Sequence, residues 1–245
     1  MKLKEIKIAL KKNSEKEKAL VLQNFFKTKK GEYGEKDIFL GVSVPKQRKI
    51  AKNFLDLSLH ELQKLLNSKI HEERFIALII LIVNYKQEKK KKKANTKKIF
   101  DFYLKNVDNI NNWDLVDISA PKIVGDYLLE RKNERKILFK LANTKESKNS
   151  FDWLWRKRIA IISTLAFIKK NDFEEAIIFS KKFLKEENDL LHKATGWILR
   201  EIGKKDEKIL KEFLEKNYKK MPRTMLRYAI EKFSEKERKY YLTKK

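Results

Sequence analysis

The chain has 245 residues, no cysteine and a formal net charge of +26 at pH 7, from 60 lysines and arginines against 34 aspartates and glutamates. The lack of cysteine excludes disulfides, thiolate metal sites, iron–sulfur clusters and cysteine nucleophiles. A hydrophobic content of 42% indicates a folded chain, and the excess of positive charge indicates a polyanionic partner such as nucleic acid.

Glycine and proline are rare, with six and three residues in the whole chain, so the turns that hairpins and βαβ units need are scarce. This scarcity predicts an all-α protein. No segment approaches the ~18 consecutive apolar residues of a membrane helix. The lysine-rich beginning also lacks the apolar core of a signal peptide, so we expect a cytoplasmic protein without a membrane span.

Apolar residues recur at helical spacing along most of the chain. A glycine-containing connection between Lys27 and Val44 is predicted to be functional or mobile. The five lysines Lys89–Lys93 predict a solvated basic loop at about residues 88–97. The predicted helices cover 3–12, 15–27, a helix starting at Pro45, 59–66, 72–85, 98–104, a helix opened by Trp113, 135–142, 153–168, 173–184, 190–202, 207–217 and 222–233.

The helix that starts at Pro45 carries Lys46, Gln47 and Arg48 in its first turns. Cations at this end oppose the helix dipole and therefore do not stabilise the helix itself. A phosphate partner, bound beside the free backbone N–H groups, would account for them. A merely solvated turn is the alternative reading, and the two are equally compatible with the sequence.

A central segment places a tryptophan and a carboxylate on one helix face. Asn112 is a good N-cap, Trp113 would open the helix, and Asp114 in the first turn suits its positive end. Asp117 lies four residues after Trp113, so both side chains share a largely apolar face on which a carboxylate has no local explanation. Asp117 is therefore either a functional group or a partner of a neighbouring helix.

Histidine supplies no metal motif in this chain. His60, His71 and His192 are scattered and lack the short spacing of sites such as His-Glu-x-x-His. We predict that each is a surface or capping residue, and that the protein needs no metal.

Similar helix sequences recur at a step of roughly 40 residues, as expected for two-helix HEAT or armadillo repeats. The sequence therefore predicts a right-handed curved solenoid of HEAT/armadillo-like repeats, with residues 1–245 forming a single domain. The repeat positions are Ala77, Asp117, Ala160, Ala194 and Ala229.

The second helices of such repeats commonly line the concave face. Arg156, Lys157 and Lys193 would add positive charge there, and Gly196 would allow a close approach. For the tryptophans, core packing is the alternative. The residues predicted to converge in one cleft are Trp113, Asp117, Arg158 and Trp197.

The sequence resembles the DNA alkylation repair glycosylases built from HEAT-like repeats, the AlkD family, over roughly residues 15 to 235. In that family a tryptophan, an aspartate four residues later, the arginine that closes Trp-x-x-Arg and a tryptophan after glycine form the active-site cleft. Departures are the five-lysine loop and the basic pair inside Trp-x-x-Arg. The motifs that carry the resemblance are Phe39–Arg48, Asn112–Asp117, Trp155–Arg158 and Lys193–Glu201.

The resemblance implies a DNA-3-methyladenine or 7-methylguanine glycosylase that acts on duplex DNA as a monomer, without metal or cofactor. It implies that Asp117 stabilises the transition state, that Trp113 and Trp197 contact sugar and base, and that Arg158 holds a phosphate. Lys46, Gln47, Arg48, Arg156, Lys157 and Lys193 are expected to contact DNA.

Three other functions remain compatible with the sequence. A non-catalytic DNA-binding repeat protein would share the charge and the repeats, and an RNA-binding protein would share the electrostatics. A protein-binding scaffold would need neither the cationic lining nor a carboxylate beside tryptophan, so the net charge of +26 counts against it.

Overall fold

The computed structural model describes residues 2–91, 95–148 and 150–243, and within these ranges the regular structure is helical and contains no β-strand. The predicted all-α fold class is confirmed. In the same ranges no helix is both long enough and apolar enough to cross a lipid bilayer. The α-helices are α1 Lys2–Lys12, α2 Lys16–Phe25, α3 Val44–Lys52, α4 Leu59–Leu66, α5 His71–Lys90, α6 Asn95–Lys105, α7 Trp113–Ala120, α8 Asp126–Leu128, α9 Lys136–Ala142, α10 Asp152–Ser163, α11 Leu165–Ile168, α12 Glu174–Lys182, α13 Asp189–Lys205, α14 Glu207–Asn217, α15 Arg223–Ala229 and α16 Glu235–Thr243.

The chain divides into two compact units, Met1–Ser119 and Ala120–Lys245. In the first unit α3, α4 and α6 pack against α5. The run Phe75–Ile82 of α5 is buried throughout, as expected for a helix that is apolar nearly all round and enclosed by its neighbours. The expectation of one domain over residues 1–245 stays a prediction.

In the second unit α13 packs against α10, α12, α14 and α15. The close approach predicted at Gly196 is made by α15. A Cβ atom at this glycine would lie 2.5 Å from the carbonyl oxygen of Met225 and 2.5 Å from the Cβ of Tyr228. Gly196 therefore serves the packing of two helices.

Several predicted boundaries differ from the structure. The helix predicted over 153–168 is interrupted at Thr164, where α10 ends and α11 follows. A π-helical turn at Pro121–Gly125 follows α7, and the helix α16 was not predicted. Of the predicted basic loop at 88–97, residues 88–90 belong to α5 and residues 95–97 to α6, and residues 92–94 lie outside the described ranges.

The connection before α3 is held in place at its end by the buried carboxylate of Glu72. This carboxylate accepts hydrogen bonds from the backbone N–H groups of Leu40, Gly41 and Val42, at 3.0, 2.9 and 3.3 Å. Gly41 has a φ of +81°, and a Cβ there would lie 2.2 Å from the carbonyl oxygen of Glu15. Only glycine fits this position, and the end of the predicted mobile loop is anchored.

Candidate active site and DNA-contacting residues

Helix α7 begins at Trp113, as predicted from Asn112. The side-chain oxygen of Asn112 accepts a hydrogen bond from the backbone N–H of Trp113 at 2.8 Å. Asp117 follows one turn later, and both Trp113 and Asp117 are half-buried. The two side chains therefore share one face of α7 and reach the surface only in part.

The Trp113 ring rests on an aromatic cluster from the beginning of the chain. It stacks on Phe26, with ring centroids 5.1 Å apart and planes 16° apart, and it meets the edge of Phe25 at 5.8 Å. Phe26 in turn stacks on Phe39 at 4.9 Å. These contacts fix the plane of the indole, while its partial exposure leaves some of the ring at the surface.

Asp117 lies within electrostatic reach of α6. Burial raises the pKa of the Tyr103 hydroxyl above its ordinary range; a hydrogen bond with Ser119 at 2.9 Å lowers it, and the Asp117 charge raises it again. The carboxylate therefore lies close to the packed interior of this unit and not in open solvent alone.

The other carboxylate of α7, Asp114, has a partner that the sequence did not predict. Its Oδ2 lies 2.8 Å from Nε2 of His71, while Nδ1 of His71 lies 3.1 Å from Oδ2 of Asp37. The remaining oxygen of Asp37 accepts a hydrogen bond from the Arg74 guanidinium at 2.7 Å. Asp114 thus joins a buried charged network as well as serving the helix start.

The prediction that the histidines are surface or capping residues is right for one of the three. His60 is exposed. His71 is only 2% exposed and lies between two carboxylates, and His192 is also buried, with Nε2 2.6 Å from the carbonyl oxygen of Glu186. A buried histidine needs a polar partner, and both of these have one.

The network favours the charged form of His71. Burial alone would lower the pKa of this imidazole, but the charge and hydrogen bond of Asp114 and the hydrogen bond of Asp37 outweigh burial and raise the pKa to about 9. For Asp37, burial alone would raise the pKa, because the charged form of a carboxyl group is the anion. The hydrogen bond from His71 and the charges of Arg74 and His71 outweigh burial and hold the pKa of Asp37 below its ordinary value.

In the second unit, Arg158 and Trp197 belong to α10 and α13. The Arg158 side chain is buried, and its guanidinium donates a hydrogen bond to the carbonyl oxygen of Leu190 at 2.6 Å. Trp197 is half-buried, and its indole N–H donates to Glu201 at 3.1 Å. Glu201 therefore fixes the orientation of this ring from one turn further along α13.

Two of the residues predicted to contact DNA do not fit that role. Lys157 is 5% exposed, and its ammonium lies 2.7 Å from the carboxylate of Glu186 and 4.9 Å from the centre of the Trp153 ring. Gln47 is 4% exposed and donates to the carbonyl oxygen of Val42 at 2.7 Å. Both side chains face the protein interior, and neither presents its polar end to a duplex.

The other predicted DNA contacts are accessible to different extents. Arg48 is exposed, and so is Lys46, whose ammonium pairs with Glu15 at 2.9 Å. Arg156 and Lys193 are half-buried. Their contact with DNA stays a prediction, as does the convergence of the four cleft residues, two of which belong to each unit.

Sequence reasoning missed the groups that support the tryptophans. Phe26 stacks on Trp113 and His71 binds Asp114, each from a distant part of the sequence, and no local pattern indicates these contacts. Glu201, by contrast, lies four residues after Trp197 on one helix, and that spacing was a usable signal.

Comparison with known proteins adds the family to this geometry. The family model described as DNA alkylation repair enzyme matches residues 6–233. A solved structure, described as a predicted DNA alkylation repair enzyme from Enterococcus faecalis, is 15% identical, with a TM-score of 0.67 over 91% of this chain and 98% of that chain. That likeness shows the fold, and among curated proteins none matches. Because the family match spans nearly the whole sequence, the chain belongs to the DNA alkylation repair enzyme family.

Proposed function

We propose that this protein is a DNA glycosylase that hydrolyses the N-glycosidic bond of N3- or N7-alkylated purines in duplex DNA. The observation that carries the proposal is the pairing of Trp113 and Asp117 one turn apart on α7, both half-buried, with the indole fixed on Phe26. Membership of a family of DNA alkylation repair enzymes supports DNA as the substrate.

The reaction needs no strong general acid, but it needs an anion that stabilises positive charge. An alkylated purine is cationic, so it leaves as a neutral base without first being protonated. Positive charge develops on the deoxyribose as the bond to the base breaks, and a preorganised carboxylate stabilises that charge. Asp117 supplies this carboxylate and orients the water that adds to the sugar carbon.

The tryptophans complete the proposed site by offering their ring faces. Cation–π contact of Trp113 with the charged sugar or base contributes about 1–2 kcal/mol when water is excluded. Trp197, oriented by Glu201, plays the same part in the second unit. Arg158 is 5% exposed and bound to the carbonyl oxygen of Leu190, and in this proposal it supports the site from within the protein.

Cations that reach the surface, fully or in part, provide the grip on the duplex. Lys46 and Arg48 lie in the first turns of α3, and Arg156 lies in the first turns of α10. The net charge of +26 adds long-range attraction that falls with ionic strength.

Asp117→Asn tests the proposal, because it keeps the shape of the side chain and removes its charge. We expect release of 7-methylguanine or 3-methyladenine from methylated duplex DNA to fall about 10²- to 10³-fold. Duplex affinity should stay level or rise, since a negative charge near phosphates has gone.

Asp101→Asn is the matched control, because Asp101 is an exposed carboxylate of α6 in the same unit, paired with Lys97 at 2.7 Å. Asp114 is unsuitable as a control, since it binds His71. An Asp117→Asn protein that excises at the parent rate would contradict the proposal. A parent protein that binds duplex DNA without releasing any base would instead support a non-catalytic DNA-binding protein.

A further inference from the structure

His71 contacts both the first turn of α7, which carries Trp113, and the aromatic side chains on which Trp113 packs. Its imidazole lies 2.8 Å from Asp114 in the first turn of α7 and 3.1 Å from Asp37 in the connection before α3. Its ring also stacks on Phe39, with centroids 4.5 Å apart and planes 23° apart. One side chain therefore joins a helix start to an aromatic stack.

The aromatic stack leads directly to the indole. Phe39 stacks on Phe26 at 4.9 Å, and Phe26 stacks on Trp113 at 5.1 Å. His71 also lies 5.2 Å from Phe26. A displacement of the imidazole would disturb the plane on which Trp113 rests, because close-packed aromatic rings have little room to adjust independently.

The backbone of α7 is linked to the same network. Asp114 accepts the N–H of Leu115 at 2.8 Å with its first oxygen and binds His71 with its second. Asn112, which holds the N–H of Trp113, also reaches Asp37 at 3.5 Å. The first turn of α7 is thus fixed to α5 by charged hydrogen bonds, which are stronger than neutral ones.

Resting on the proposed glycosylase function, we infer that His71 is a positioning residue: by bridging Asp37 and Asp114 and backing the Phe39–Phe26–Trp113 stack, it orients Trp113 and Asp117. It touches no substrate. The charged groups that face it are Asp37 from the connection, Asp114 from α7 and Arg74 from its own helix.

A pH titration of the unmodified protein tests this without any substitution. Neutral His71 keeps one N–H and can donate to only one of the two carboxylates, so the bridge breaks as pH rises through about 9. We expect the indole N–H resonance of Trp113, assigned with Trp113→Phe, and the excision rate to change with one midpoint near that pH. Reactions without protein correct for alkaline damage to the methylated DNA.

Because the pKa is raised in the folded state, the stability that the bridge contributes is fully present below the ordinary pKa of about 6.5 and is lost as pH rises through about 9. A Trp113 resonance that stays fixed while the His71 imidazole titrates would overturn the inference. This readout needs no catalysis. A parent protein without excision at any pH therefore defeats the glycosylase proposal separately.

His71→Gln and Asp114→Asn test the same bridge by substitution, with His60→Gln at the exposed histidine as the matched control. We expect each bridge variant, where circular dichroism shows that it folds, to lose about 10- to 100-fold in kcat while duplex affinity is kept. The Trp113 resonance should move and that of Trp197 should stay. A folded bridge variant with the parent kcat would overturn the inference, and if both unfold the titration decides.

Discussion

The start of α3 and the middle of α10 carry similar runs of cations, yet the protein uses them differently. Lys46 and Arg48 at α3 are exposed. Lys157 and Arg158 at α10 are buried, and they bind Glu186 and the carbonyl oxygen of Leu190. The first pair is available to a polyanion, whereas the second holds parts of the protein together. A run of cations in a sequence therefore does not show which of the two roles it has.

The difference comes from what packs on each helix. Only Gln47 among the three polar residues at the start of α3 is turned inward, where it binds Val42. At α10 the cations meet a carboxylate from the segment before α13 and a carbonyl oxygen from the first turn of α13. Burying an ammonium costs several kcal/mol unless it is paired, so the pairing is what permits the burial.

The largest difference between the cations of α3 and those of α10 is expected from Lys157→Met. This change keeps the apolar packing on Trp153 but leaves the Glu186 carboxylate without its partner. We expect the free energy of unfolding to fall by about 3 kcal/mol, measured by urea denaturation, with little change in duplex affinity. A stable variant with weakened DNA binding would show instead that Lys157 contacts DNA.

At α3 the opposite result is expected from Arg48→Gln. The free energy of unfolding should change by less than about 0.5 kcal/mol, because the side chain is exposed. The slope of log affinity against log salt should become shallower by about 0.9, the effect of one phosphate contact.

Arg238→Gln, at an exposed arginine of α16, is the matched control for Arg48→Gln. The loss at Arg48 should be the same for all duplex sequences, because phosphate contacts carry no sequence information. A loss confined to certain sequences would show that Arg48 reads bases instead.

The smallest effect is expected at Lys193, whose exposure is intermediate between the exposed cations of α3 and the buried cations of α10. It is half-buried, and its ammonium pairs with Asp189 one turn earlier on α13 at 2.7 Å. Lys193→Gln should lower the free energy of unfolding by about 0.3–0.5 kcal/mol, as thermal unfolding can measure, with Asp189→Asn giving a similar loss. A loss above about 2 kcal/mol would place Lys193 with the buried cations of α10.

Local patterns predicted much of the fold. The bounds 59–66 and 207–217 agree with α4 and α14, whose apolar spacing and polar caps lie within the helix and its neighbours. Helix α16 was missed because its nine residues include few apolar side chains. Its start nevertheless carries a reciprocal cap, since Ser234 and Glu237 bind each other's backbone N–H groups.

In the candidate site, too, features of a single helix were predictable and contacts between helices were not. The spacing of Trp113 and Asp117 was predicted because it is a property of one helix. The contact of Asp114 with His71 joins residues 43 positions apart, and its existence depends on how α5 and α7 pack. A sequence read for helical periodicity carries no signal for such a pair, so Asp114 was explained by the helix dipole alone.

The three backbone N–H groups bound by Glu72 also bear on the proposed contact with DNA. Detaching Leu40–Val42 would leave a fully buried carboxylate without donors, so this segment should open to solvent only when α5 itself unfolds. The start of α3, with its exposed Lys46 and Arg48, immediately follows this segment. Its cations are therefore preorganised, and a duplex that binds them has no loop to order first.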